Sequence, residues 1–249
     1  MTPMRTLVCL TAVALGLAGC TLTPSAAPGE LGSVIDTAPR LSDFSFADPP
    51  LAAAIEFDRW RTMSERARVE DAMLDVCLAD KAACATDDLV RFRRLVDLAA
   101  SLPAKQQLNL VQAYFNTVTW TDEDRDTWLP LYAVAAERSG DCEDVALAKY
   151  ATLRRLGWTV DDLRVAVGWD HEEKDWHAWL IVRHEGAIRV LDSIKDVQGP
   201  GRFRASRVVY SISESGVWDH APDYVPIDLT PKFERAARFA AVDMTGDPS

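Results

Sequence analysis

Three side chains in this sequence can together carry out acyl transfer: the thiol of Cys142, the imidazole of His177 and the carboxylate of Asp192. In such chemistry a thiolate attacks a carbonyl, an imidazole moves the proton, and a carboxylate fixes the imidazole's tautomer. Cys142 lies in Ser139-Gly140-Asp141-Cys142-Glu143-Asp144, where a turn-former precedes an N-cap candidate with an acid three residues on. The run behind it stays helix-friendly to Leu156 and is closed by Gly157, so the spacing predicts a helix of about four turns beginning at Cys142. A thiol there meets unpaired backbone N–H groups and the positive end of the helix dipole, which favour its ionised form. A plainer reading stands beside this one: a small buried residue that happens to open a helix.

The other two residues are brought together by a hairpin. After Gly157 the hydrophobic period changes to two, giving strands at Leu163 to Val167, Trp176 to Arg183, Ile188 to Asp192 and Arg207 to Ile212. His184-Glu185-Gly186-Ala187 is a turn signal between the middle pair. With the turn centred between Glu185 and Gly186, Asp192 faces Trp179, so His177 and Asp192 share one face on a bridgeable diagonal. A slip of one residue would separate them. Taken singly, His177 also reads as a core histidine between two tryptophans, and Asp192 as a strand-end carboxylate. His171, His184 and His220 stand in loop-like contexts and read as surface residues. No CxxC or HExxH spacing supports zinc.

Ahead of the cysteine the pattern is helical. Phe57, Trp60, Met63, Met73, Leu74 and Cys77 recur at helical spacing, as do Leu89, Phe92, Leu95, Leu98 and Ala99 behind Thr86-Asp87-Asp88. A third helix carries Leu108, Val111, Tyr114 and Phe115, and a short one runs from Leu131 to Arg138. These stripes read as core. Thr121 to Asp126 form an acidic loop, read as a solvated turn with a contribution to a cation site as the other reading; Asp219 to Pro231 is extended or loop, and Phe233 to Val242 a last short helix. Helices followed by an antiparallel sheet, with no repeat and no second core, make one α+β domain.

Residues 1–19 are expected to be a leader: Arg5 is a positive n-region, and Thr6 to Leu17 an apolar stretch too short to span a bilayer. The leader ends in Leu17-Ala18-Gly19-Cys20, which resembles the lipobox of bacterial lipoproteins and implies lipidation at Cys20 in an envelope compartment. Residues 20–50, rich in Pro, Ala, Ser and Gly, read as a tether, and 51–249 as the folded domain. A net charge of −11 without a basic run argues against nucleic acid as partner. Of five cysteines, Cys77 and Cys84 flank a helix-to-loop break and are the natural disulfide pair in an oxidising compartment, which leaves Cys142 as the odd thiol.

Gly140-Asp141-Cys142-Glu143-Asp144 with its Ala-Leu-Ala-Lys-Tyr helix, the strand His177-Ala178-Trp179-Leu180, and Leu191-Asp192-Ser193 together resemble the bacterial transglutaminase-like cysteine peptidases, over Phe57 to Gln198. The resemblance implies a papain/transglutaminase-like fold, with helices and a central cysteine-bearing helix packed on the sheet. It implies Cys142 as nucleophile, His177 as general base and Asp192 as its orienting acid. It further implies a calcium-dependent periplasmic protease of large surface adhesins involved in biofilm release, with Asp141, Glu143 and Asp144 around the ion and an inner-membrane cyclic di-GMP receptor as partner. An N-cap with dipole-complementing acids is the other reading of that trio. The family's Asn after the triad acid is Ser193 here, and its Trp-x-x-Pro-x-Glu pattern is altered, with Trp128 and Pro130 two apart and Tyr132 at the Glu position. Two alternatives use or abandon the same residues: acyl transfer to an amine, as in a transglutaminase or amidase, and a non-catalytic binding lipoprotein.

Overall fold

The computed structural model describes residues 37–121 and 127–221; the acidic stretch 122–126 and the expected C-terminal helix lie outside the described residues. Helix α1 (Asp58–Ala79), α2 (Asp87–Ala100) and α3 (Ala104–Phe115) precede a two-residue strand, β1 (Thr119–Trp120). Helix α4 (Leu131–Glu137), strand β2 (Ser139–Gly140) and helix α5 (Cys142–Arg155) follow. The main sheet is built from β3 (Leu163–Asp170), β4 (Asp175–His184), β5 (Ala187–Leu191), β6 (Arg207–Ser213) and β7 (Gly216–Asp219). Its strand order is β5-β4-β3-β6-β7, antiparallel throughout. Among the described residues, no helix is long and apolar enough to cross a membrane.

Local chemistry explains the boundaries. Thr86 caps α2 by accepting the Leu89 N–H, and buries Leu89, Phe92, Leu95 and Ala99 along one face. Helix α5 starts in a capping box, the Asp141 carboxylate accepting the Asp144 N–H while Asp144 reaches back to the Asp141 N–H. Gly157, at φ +91°, ends it. Cys77, near the end of α1, is disulfide-bonded to Cys84.

The sheet is covered on both faces. Inward, Val165, Val167, Ala178, Leu180, Val182 and Leu191 pack under the helices. Outward, Ala166, Trp179, Ile181, Val190 and Val208 meet Leu41, Phe44 and Phe203. This corrects the tether boundary. Residues 37–50 read as linker because Pro, Ser and Ala dominate them, yet three well-spaced apolar side chains (Leu41, Phe44, Phe46) suffice to cap the outer face. The segment continues into the edge of β7, where Leu51 donates to Val217 O and Val217 donates to Ala52 O.

The outer layer also holds a titrating group. His220, expected at the surface, lies against the Phe44 ring with its Nε2 2.8 Å from Ser211 Oγ. Burial and then the Arg164 charge push its pKa down to about 4. Between that value and its ordinary pKa near 6.5 the unfolded chain binds the proton and the folded one does not, so stability is lost as pH falls through this window. From pH 7 to 4 the parent is expected to lose up to about 3 kcal/mol more than His220→Gln. Urea denaturation at fixed pH measures this, and equal losses in the two proteins would refute it.

Candidate active site

The turn geometry decides where His177 and Asp192 sit. Glu185 and Gly186 both have positive φ, 51° and 74°, as a two-residue type I′ connection requires. The register that follows pairs His184 with Ala187 and Leu180 with Leu191, so Asp192 emerges opposite Trp179. The His177 ring and the Asp192 carboxylate share the outer side of the sheet, with Nε2 3.3 Å from Oδ2. That is ion-pair distance, but the ring nitrogen is not aligned on the oxygen as a hydrogen-bond donor. Trp179 Nε1 donates to the same Oδ2 at 3.1 Å, and its ring stands edge-on to the imidazole.

Asp192 is fully buried, and its other oxygen accepts the N–H groups of Ile194 at 2.8 Å and Lys195 at 3.2 Å. Burial opposes its charge, but the imidazole, the Ile194 N–H and the Lys195 ammonium outweigh burial and hold the carboxyl below its ordinary range. The acid is therefore ionised at neutral pH. Trp179 was not among the candidates; its place two residues from His177 on the same strand face was the available signal.

Cys142 arrives from the other side. Helix α5 packs on the inner face of β3 and β4, so sulfur and imidazole can meet only around a strand edge. Such an edge exists: β5 ends opposite Leu180, so β4 from Trp179 back to Asp175 has no β5 neighbour. The Ala178 N–H, one peptide unit from His177, faces the Cys142 sulfur there. Cys142 and His177 are each 7% exposed. The described residues thus bring thiol, imidazole and carboxylate to one stretch of edge.

The thiol's ionisation runs against expectation. Cys142 Sγ donates to Glu143 Oε2 at 2.9 Å. Burial, then Glu143 and Asp141, push its pKa far up, and the Ala178 N–H recovers little of this. A helix N-terminus contributes a fraction of a positive charge, which two adjacent full negative charges outweigh. Burial and the two carboxylates thus favour the thiol over the thiolate.

The acidic trio divides. Asp144 is 1% exposed and spends its carboxylate on backbone, Oδ1 accepting the Leu129 N–H at 2.7 Å and Oδ2 the Asp141 N–H at 3.3 Å. It brackets the incoming loop to the helix, which leaves it poorly suited as the expected third ligand. Asp141 and Glu143 are half-buried and are hard oxygen donors of the kind calcium takes. Among the described residues, however, no group of three or more acidic, histidine or cysteine side chains is placed to hold a metal. Two carboxylates fit part of a calcium shell, not the whole. Trp128 is buried against Phe57, and Pro130 precedes α4, so the altered Trp and Pro positions serve packing and helix entry.

Solved structures of similar fold are known. Legionella pneumophila LapG aligns at 22% identity over 68% of this chain and 96% of that one, with a TM-score of 0.53. Its calcium-bound form aligns at 20% identity over 69% and 98%, at 0.54, and its EGTA-treated form at 22% over 68% and 96%, also at 0.54. At these identities the likeness speaks for the fold, helices against an antiparallel sheet. No curated protein matches the chain. The profile of the bacterial transglutaminase-like cysteine proteinases matches residues 64–199, more than half of the sequence and all of the edge at which Cys142, His177 and Asp192 gather. The chain belongs to that family, and is a cysteine peptidase of the transglutaminase-like type.

Proposed function

We propose that the chain is an exported, calcium-responsive peptidase that cuts a large surface adhesin, using Cys142 as nucleophile, His177 as general base and Asp192 as the acid that orients it. The observation that carries the assignment is the edge of β4, with the ring and carboxylate 3.3 Å apart and the sulfur against the next peptide N–H. The resting thiol passes its proton to the imidazole on leaving Glu143. The thiolate then attacks the substrate carbonyl, His177 protonates the departing amine, and water hydrolyses the thioester. The Cys142 N–H, in the first turn of α5 where no intrahelical acceptor exists, is an oxyanion donor.

Export and a lipid at Cys20 are supported by the leader and its Leu-Ala-Gly-Cys ending, and the Cys77–Cys84 disulfide suits an oxidising compartment. The adhesin substrate and a cyclic di-GMP receptor as regulator rest on the family resemblance. The protease reading predicts that the purified chain cuts an adhesin segment encoded in the same genome at one site. Incorporation of a labelled amine in place of cleavage would indicate acyl transfer, and failure of any probe to label Cys142 would indicate a binding protein.

Calcium is supported by a solved relative in calcium-bound form. Asp141 and Glu143 would hold the ion, and its positive charge beside the cysteine would offset the carboxylates that suppress the thiolate. At a free calcium concentration one hundred times its Kd the domain is expected to gain about 2.7 kcal/mol of stability. The gain should vanish in Asp141→Asn with Glu143→Gln. Identical melting in calcium and in EGTA would remove the metal from the reading.

A further inference from the structure

Helix α5 carries a lysine inside its most apolar stretch. Lys149 lies between Ala148 and Tyr150 and is fully buried. Its ammonium donates to the backbone carbonyl of Asp192 at 2.6 Å and to Asn116 Oδ1 at 2.9 Å. The same Asp192 carbonyl accepts from Gln112 Nε2 at 2.6 Å. Gln112 Nε2 and Asn116 Nδ2 both reach the Lys195 carbonyl, the second at 2.9 Å. Lys149, Asn116, the Lys195 carbonyl, Gln112 and the Asp192 carbonyl therefore close a ring of hydrogen bonds, drawn from α5, α3 and the loop 192–195.

A buried ammonium is costly to keep. Burial lowers the Lys149 pKa to about 7, with Asp192 pulling it back up, and a methionine of similar volume would fill the site without that cost. The ring must therefore do something packing cannot. Its geometry shows what. Lys149 is seven residues after Cys142, two turns on and nearly the same azimuth, a spacing of about 10.5 Å along a rigid helix. The face that presents the sulfur thus also grips the backbone of the triad acid. Because β5 ends at Leu191, no ladder holds Asp192; its backbone carbonyl is held by this ring, and its carboxylate by the Ile194, Lys195 and Trp179 N–H groups.

We propose that Lys149 is a positioning residue, which with Gln112 and Asn116 sets the distance between the nucleophile helix and the loop that carries Asp192, and so aims the carboxylate at His177. The inference rests on the triad reading and adds a residue to it. Lys149 touches no substrate; it acts through Asp192.

The test is a double-mutant cycle on the full chain, read as the rate at which iodoacetamide alkylates Cys142, followed by mass spectrometry at a single pH, with melting temperatures recorded alongside. Lys149→Met is expected to slow alkylation on the order of tenfold in the parent background, and less than twofold once Asp192→Asn is present. Gln112→Met should reproduce the pattern from the other end of the ring. Lys149→Gln, which keeps an amide donor, should fall between and stands in if the methionine variant does not fold. A lysine that only stabilises the core would lower the melting temperature and slow both backgrounds by the same factor, or neither, and that result overturns the proposal. If Asp192→Asn itself leaves the alkylation rate unchanged, the triad reading fails first and this inference with it.

Discussion

Cys142→Ala is expected to abolish proteolysis while leaving the fold in place. The sulfur is small and nearly buried, and alanine is the residue most at ease in a helix, so the substitution removes the hydrogen bond to Glu143 and the acceptor facing the Ala178 N–H without opening a large void. Stability should change by no more than about 1 kcal/mol. Activity should fall by about four orders of magnitude or more, since no thioester can form. Cleavage of the adhesin segment followed on gels, beside thermal melting of the same preparation, separates the two. Cleavage at more than about one per cent of the parent rate would move the chemistry away from this cysteine.

Asp192 offers the second large effect, with a signature that differs between two substitutions. In Asp192→Ala, the Trp179 N–H and the backbone N–H groups of Ile194 and Lys195 lose a fully buried acceptor. An expected loss of about 3–5 kcal/mol accompanies a fall of about 10²–10⁴ in kcat. Asp192→Asn keeps one oxygen for the two backbone N–H groups but sets its NH2 against the Trp179 N–H, so it should lose less stability than Asp192→Ala without matching the parent. Its amide then faces Nε2 of His177 with a donor where an acceptor stood, which favours the opposite imidazole tautomer. Activity should therefore fall by much more than stability does. Chemical denaturation and steady-state kinetics on both variants check this, and an Asp192→Asn enzyme of near-parent kcat would sink the role assigned to the acid.

How much of this was legible beforehand depends on whether local or distant chemistry decides. The pairing of His177 with Asp192 could be read because it follows from one turn: Glu185-Gly186 fixes the register, and the register fixes the face. The helix at Cys142 could be read because its cap and its closing glycine are local too. The state of the thiol could not, since it turns on how deeply α5 sinks into the sheet and on which way Glu143 points. Residues 37–50 were misread as tether because composition says nothing of three side chains that find a sheet face more than a hundred residues downstream. Strand β7 was missed because four residues, one of them Gly216, carry too little alternation to show. Lys149 was visible as a charge in an apolar run, but its partners come from α3 and from the loop after β5, which only the tertiary structure assembles.

The strap across the outer face has a consequence for reach. If Cys20 carries lipid, the leash can be no longer than the chain from Cys20 to Pro39, whose carbonyl accepts the Val208 N–H of the sheet, instead of reaching to Pro50. Fully extended, that sets a limit of about 65 Å in place of about 110 Å. An enzyme so moored would patrol only a thin shell above its bilayer, and whatever it cut would have to come down to meet it.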